Sequence, residues 1–430
     1  MNISKLHPRL RLMQDADMKG KVVLVRVDHN VVKTGKIKDP YRIESTMGTL
    51  YGIVEKGGRP ILMTHVGRPK DKKTGEIRCD DSLSVAPIVN YIEAKLPIKI
   101  FCPHFKPEGT KGITHIDDSI WAAIEDLKKG KIGMIYLPNT RWFQGEQAKG
   151  PEREKFCQEL ASLADVFVND AFGSWQPHVS TYDIAKRLPS YAGFLLQKEL
   201  LHLDLVLNPF RPYTAIIAGA KYDTKIGPLK ALYEKVDHLI LGGLIYNTYL
   251  AAKYRLQIEG VSEEELAMAR ELVEMDEKDK KIIELPFLIE SETTEERANG
   301  KWQKVSLEQM KKAKKIHYIV DVHPESFQLA QVKEAIANAK TIFVNAVMGL
   351  MPYFFEGSRA LYELIFQNTQ AEKLFGGGDT LQELKNLAPG PYLRGLDAQD
   401  TYYFTGGGSV LTAIEQGSPY HIKPVEALME

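Results

Sequence analysis

"YTAIIAGAKYDTKIGPLKALYEKVDHLILGG" spans residues 213–243. An apolar run at 213–219 is followed by a stretch in which Lys221 and Lys225, four residues apart, open a helix. A second apolar run closes the stretch at 237–243. Two buried strands bounded by a helix read as parallel neighbours, because a parallel pair needs a long crossover while an antiparallel pair needs only a hairpin. The unit repeats outward. Runs at 315–321, 340–346 and 371–377 follow in the second half, with helical patterns at 263–277 and 325–339. The first half carries strand runs at 21–27, 59–65, 131–137 and 165–170, with helical patterns at 83–96 and 152–164. The expected fold is therefore α/β, two Rossmann-like doubly wound domains of parallel sheet. The long helical segment "AGFLLQKELLHLDLVL" at 192–207 reads as the hinge between them. The expected division is 1–191, 192–207 and 208–408, with a C-terminal segment, 409–430.

Composition bounds the function. A chain of 430 residues is too long for one ordinary core. With 44% apolar and 26% charged residues it reads as a soluble globular protein. The formal net charge is zero, so nothing global points to nucleic acid or an anionic membrane. Cys79, Cys102 and Cys157 lack metal-site spacing and suit a reducing compartment. No run suits a signal peptide or a membrane span, which leads to the expectation of a cytoplasmic protein.

Open parallel sheets bind ligands beyond the carboxyl ends of their strands. In the first half those positions hold Asp28, Asn30, His65, Gly67, Arg68, Lys70, Asn139, Arg141, Asn169, Asp170 and His178, with Arg42 shortly after the first strand. One such arginine is ordinarily a surface ion pair. Arg42, Arg68 and Arg141 with His65 form instead a basic pocket for a small phosphorylated acid, because the guanidinium fork matches carboxylate and phosphate oxygens two to two. In the second half, "GGGDTLQEL" (376–384) and "TGGGSVLTAIEQG" (405–417) are both strand–glycine–helix entries. Bare backbone admits an anion to the helix N-terminus. Asp379 is placed to hold magnesium, and Thr380 with Glu383 fits a capping box. The chain has neither the G-x-x-x-x-G-K-[ST] loop nor the G-x-G-x-x-G fingerprint, which counts against P-loop and nicotinamide enzymes.

These stretches, with "VVLVRVDHN", "ILMTHVGRPK", "VFVNDAFG", "LPSYAGFLLQKEL" and the tail "KPVEAL", resemble the phosphoglycerate kinase family along nearly the whole chain. The resemblance implies a first domain for 3-phosphoglycerate, a second for magnesium-bound ATP or ADP, a C-terminal tail returning to the first domain, and domain closure during the reaction. On the family pattern Asp28, Asn30, His65, Arg68 and Arg141 hold the glycerate, and Arg42 stabilises the transferring group. Lys225 steadies the same phosphoryl and Lys221 the nucleotide phosphates. Gly219, Ala220, Gly243, Asn345, Gly377, Gly378, Asp379 and Thr380 complete the nucleotide site, with Gly378 and Gly407 beside the transferred group. Most relatives act alone, so a monomer is expected.

The chain also departs from the family pattern. His29 stands for the aromatic of "DFN", Pro138 for a glutamate, and "GSWQPH" lacks an arginine near Gln176. On the nucleoside side Leu244 and Tyr318 stand for glycines, His323 for a turn glycine, Val347 for a proline, and Pro352 for a ribose-binding glutamate. Beside ordinary adenine-nucleotide activity, these departures admit a changed phosphoryl donor, a changed acid substrate, or a non-catalytic binding role. The retained Arg42, Lys225 and Asp379 argue for catalysis.

Overall fold

The computed structural model describes residues 3–219, 225–313 and 315–429. It divides into two compact units, Met1–Leu201 with Tyr420–Glu430, and His202–Pro419.

The first unit is built on strands β1 (Val22–Val27), β4 (Arg59–Met63), β5 (Ile100–Phe101), β6 (Met134–Tyr136), β7 (Val166–Asp170) and β8 (Ser190–Ala192), with a small hairpin of β2 (Val32–Lys33) and β3 (Lys36–Ile37). The six-stranded sheet runs β5-β6-β4-β1-β7-β8 and is parallel throughout. Every residue of β1 is buried, as a central strand covered on both faces requires. Its valines pack with Leu62, Ile53, Ile88 and Ile92. The chain's end also lies in this unit. The Arg11 guanidinium donates to the Leu428 carbonyl at 3.1 Å and the Ala427 carbonyl at 3.1 Å, and Leu428 is fully buried.

The second unit holds β9 (Tyr213–Gly219), β10 (His238–Gly242), β11 (Ile282–Ile283), β12 (Phe287–Ser291), β13 (Trp302–Ser306), β14 (Tyr318–Val322), β15 (Thr341–Asn345), β16 (Glu372–Gly376) and β17 (Thr401–Phe404). The main sheet, β11-β10-β9-β15-β16-β17, winds one way from β9 through β10 and the other way through β15. That reversal places a crevice between β9 and β15, where such folds bind ligands. The helix Phe194–Leu207 carries the chain from one unit to the other.

Three sequence expectations change. The run at 315–321 is β14, but it belongs to a separate sheet, β13-β12-β14, paired antiparallel. The strand β13 is mostly solvated ("WQKVS"), so it shows no continuous apolar run. The helix expected over 325–339 breaks into a turn of 3₁₀ at Pro324–Gln328 and a helix at Ala330–Ala337, because Leu329 between them is extended. The terminal segment begins later than 409: the helix Gly407–Gln416 packs on the helix Ile226–Lys235 in the second unit, and only from Tyr420 does the chain group with the first.

Candidate active site

At the carboxyl edge of the first sheet, polar side chains converge. Asp28 follows β1, is 4% exposed, and accepts from the Arg42 guanidinium at 3.1 Å. Arg42 rides on the short helix Tyr41–Ser45. The Asn30 carboxamide accepts from the Gly67 amide at 2.9 Å, and the Gly67 carbonyl accepts from Arg141 at 2.6 Å. His65, after β4, is buried and meets Arg26 at 3.1 Å through Nδ1. Burial, then the positive fields of Arg141, Arg26 and Arg42, hold the His65 imidazole well below its ordinary pKa. His178 is pushed down to about 4 by burial and by Arg141 and Arg26. Both rings are therefore neutral near pH 7, and the charge of the pocket rests on arginine. Arg68 is exposed and close enough to Arg141 to add to that field.

Some expected site residues serve the backbone instead. Asn139 is fully buried, donating to the carbonyls of Val66 at 2.7 Å and Leu83 at 3.0 Å. Asp170 accepts from the Leu196 amide at 3.1 Å at the start of the helix Phe194–Leu207. Two participants were missed. Arg26 lies inside β1 with its guanidinium on Ser180 at 2.9 Å, Ser174 at 3.3 Å and His65. Glu146 is buried, accepting from the Ser180 amide at 2.9 Å, and burial raises its pKa against the pull of Arg26. The signal for Arg26 was present as the one charge in "VVLVRV". Near Gln176, Arg153 donates to the Pro177 carbonyl at 2.7 Å and is paired with Asp183 at 2.5 Å.

At the carboxyl edge of the second main sheet, backbone and one lysine dominate. Lys225 begins the helix Ile226–Lys235 and donates to the Ala218 carbonyl at 2.7 Å and the Asn345 carboxamide at 2.9 Å. Asn345 ends β15 and donates onward to the Gly376 carbonyl at 2.8 Å. Burial lowers the Lys225 pKa to about 8 against the opposing pull of Asp379. The helices Gly378–Leu387 and Gly407–Gln416 both start here on bare backbone. A Cβ on Gly407 would stand 2.6 Å from the Gly377 Cα, so the two glycine loops touch in a way only glycine permits. Gly243 has φ +58°, and a Cβ there would lie 3.0 Å from the Gly219 backbone. Asp379 is exposed in the first turn of its helix.

The expected capping box is absent. Thr380 accepts from the Ala346 amide at 3.1 Å, while Glu383 is buried against the Tyr362 hydroxyl at 2.9 Å, where burial raises its pKa to about 7. Gly377, with φ +107°, occupies the N-cap instead. Ala220 and Lys221 lie outside the described residues. Of the departing positions, Leu244, Tyr318 and Val347 are half-buried and Pro352 is exposed.

Comparison with known proteins agrees along most of the chain. The family model described as phosphoglycerate kinase matches residues 13–417. The phosphoglycerate kinase of Dictyoglomus turgidum is 34% identical over 411 residues, covering 94% of this chain and 95% of that protein. That of Roseiflexus sp. is 34% identical over 412 residues, covering 94% and 96%. The structure of phosphoglycerate kinase from Coxiella burnetii superposes with a TM-score of 0.74 at 27% identity, covering 97% of this chain and 98% of that one. With the fold, the arginine pocket and the glycine-lined lysine site in place, the chain belongs to the phosphoglycerate kinase family.

Proposed function

We infer that this chain moves a phosphoryl group between ATP or ADP and the carboxylate of 3-phosphoglycerate, forming or consuming the acyl phosphate. The observation that carries the reading is Lys225, whose ammonium is held by Ala218 and Asn345 where two glycine-started helices open. Such a place neutralises phosphate charge with a cation, backbone N–H groups and helix dipoles together. In the direction of ATP use, a carboxylate oxygen attacks the terminal phosphorus and the bond to the bridging oxygen breaks. ADP leaves with the electron pair, and no proton has to move. The protein's work is thus positioning and charge stabilisation.

In this reading Lys225 meets the transferred group and the Asn345, Gly377, Gly378, Thr380 and Gly407 region cradles the phosphates. Asn30, His65, Arg68 and Arg141 bind the glycerate, with Asp28 and Arg42 paired beside them. Magnesium, when bound, would supply positive charge that offsets the charge of the phosphates. Asp379 fits it as an exposed carboxylate at a helix start. Among the described residues no group of three or more His, Cys, Asp or Glu side chains could hold a metal, and Asp379 is the carboxylate that would help hold it beside the phosphates. A closing movement that keeps water from the acyl phosphate, a monomeric state and a cytoplasmic location belong to the same proposal. Among the described residues no helix is long and apolar enough to cross a membrane.

The test is phosphoryl transfer to 3-phosphoglycerate with magnesium, run with ATP, GTP and pyrophosphate in parallel and coupled to reduction of the acyl phosphate. Turnover with ATP at ordinary enzymatic rates is expected. Turnover with another donor alone, or with none, contradicts the reading.

A further inference from the structure

His29, a departure from the family's motif, lies between two residues of the arginine pocket, Asp28 and Asn30. Its side chain is fully buried. The ring bridges two groups, Nδ1 to the Tyr136 hydroxyl at 2.9 Å and Nε2 to the Thr46 hydroxyl at 2.9 Å. Its backbone amide donates to the Thr64 hydroxyl at 2.9 Å. Burial, with Arg26 and Arg42 nearby, lowers its pKa to about 3, so the ring is neutral and carries one N–H.

The proton's place follows from counting donors. The Thr46 hydroxyl has a single proton, and the Ile43 carbonyl lies 2.8 Å away to accept it. Thr46 must then accept from the ring, which puts the proton on Nε2. Nδ1 is left to accept from Tyr136. The reverse tautomer would leave the buried Tyr136 hydroxyl proton without an acceptor. The result is a directed chain, Tyr136 to His29 to Thr46 to Ile43.

That chain ends on the element that carries Arg42. Thr46 is the last cap of the helix Tyr41–Ser45, and Ile43 is Arg42's neighbour within it. A helix of five residues is marginal by itself, and Thr46 is also where it joins the next helix, Met47–Glu55. Arg42 is tied at its head by Asp28, the residue before His29, and Asn30, the residue after, holds the Gly67 amide. We propose that His29 is a positioning residue: its ring braces the Arg42 helix against the end of β6, fixing where the Arg42 guanidinium stands. The phenylalanine of the family motif could make neither of the two ring bonds. The catalytic part of this proposal rests on the phosphoryl-transfer reading, and the structural part does not.

The experiment uses the full chain and two variants, His29→Phe and Thr46→Val. The first readout needs no turnover. Hydrogen exchange of the amides at 43–46 is expected to speed up at least tenfold in His29→Phe and Thr46→Val, relative to the strands of the same unit. Nitrogen NMR, with the His29 signals assigned by their loss in His29→Phe, is expected to show that ring neutral and protonated at Nε2. The second readout is kinetic. Both variants are expected to lose about tenfold in kcat with the KM for 3-phosphoglycerate within twofold, and His29→Phe is expected to add nothing in an Arg42→Ala background. Unchanged exchange at 43–46 in His29→Phe, or a His29 ring protonated at Nδ1, overturns the brace. Faster exchange with unchanged kcat, in an active wild type, overturns its catalytic part. Should the wild type itself lack turnover, the exchange result still decides the brace while the phosphoryl-transfer reading fails separately.

Discussion

At the scale of single residues, the two sites use opposite means to present positive charge. The first relies on arginines that stay charged while its histidines are held neutral. The second relies on a lysine partly stripped of water. Lys225 loses its proton near pH 8 in the ligand-free protein, well before an ordinary lysine would. Because the charged form binds the anion, affinity for magnesium-ATP is expected to be full near pH 7 and to fall as pH rises through about 8. In Lys225→Arg, which stays charged, that fall is expected to vanish. Calorimetric titration between pH 7 and 9.5 checks both. Lys225→Met is expected to lower kcat about 10²–10³-fold, the usual loss for one stabilising donor, with native circular dichroism retained. In the first unit, the His178 ring is expected to titrate near 4, read from its carbon-bound proton resonances. A His178 midpoint near 6.5 would mean the pocket is wetter than the arrangement of Arg141 and Arg26 implies.

At the scale of elements, the glycine loops separate packing from chemistry. Gly407→Ala pushes a Cβ into the Gly377 backbone, where neither loop can yield. A cost of about 1–3 kcal/mol is expected in urea unfolding, together with weakened nucleotide binding. A Cβ on Gly378 meets nothing within 4 Å. Gly378→Ala is therefore expected to keep wild-type stability and yet lose turnover, because on the proposed reading phosphate approaches the helix start where the methyl would stand. The strands that frame these loops were legible because each is a short, nearly continuous apolar run, and the glycines because they follow such runs directly. The sheet of β12, β13 and β14 was not, since β13 is largely solvated and β12 pairs across a hairpin. Arg26 showed only as the one charge in its strand and Glu146 not at all, for a different reason. Their partners, Ser174 and Ser180, are distant in sequence, and only the folded sheet brings them to one place. Glu383 misled, because its spacing from Thr380 fits a cap while its side chain belongs to Tyr362.

At the scale of the whole molecule, the chain's end is part of the first unit's core. Ile422, Val425 and Leu428 are buried, and each contributes about 1.5–3 kcal/mol on burial. Removing residues 420–430 is expected to lower the melting point of the first unit, reported by Trp121, Trp142 and Trp175, and to leave that of the second, reported by Trp302, within a few degrees. Equal loss in both would mean that the tail supports more than its own unit. The departures at Leu244, Tyr318, Val347 and Pro352 leave the lysine, the asparagine and both glycine loops intact, and no observation favours another donor over the adenine nucleotide. The central claim is that the arginine pocket and the lysine site serve one transfer to a carboxylate. Trapping the product with hydroxylamine tests it most directly, since only an acyl phosphate yields the hydroxamate. Wild-type protein with magnesium, ATP and 3-phosphoglycerate is expected to form hydroxamate and ADP in equal amounts, with Arg42→Ala and Lys225→Met each losing at least 10²-fold. ADP release without hydroxamate, or hydroxamate formation undiminished in either variant, would contradict it.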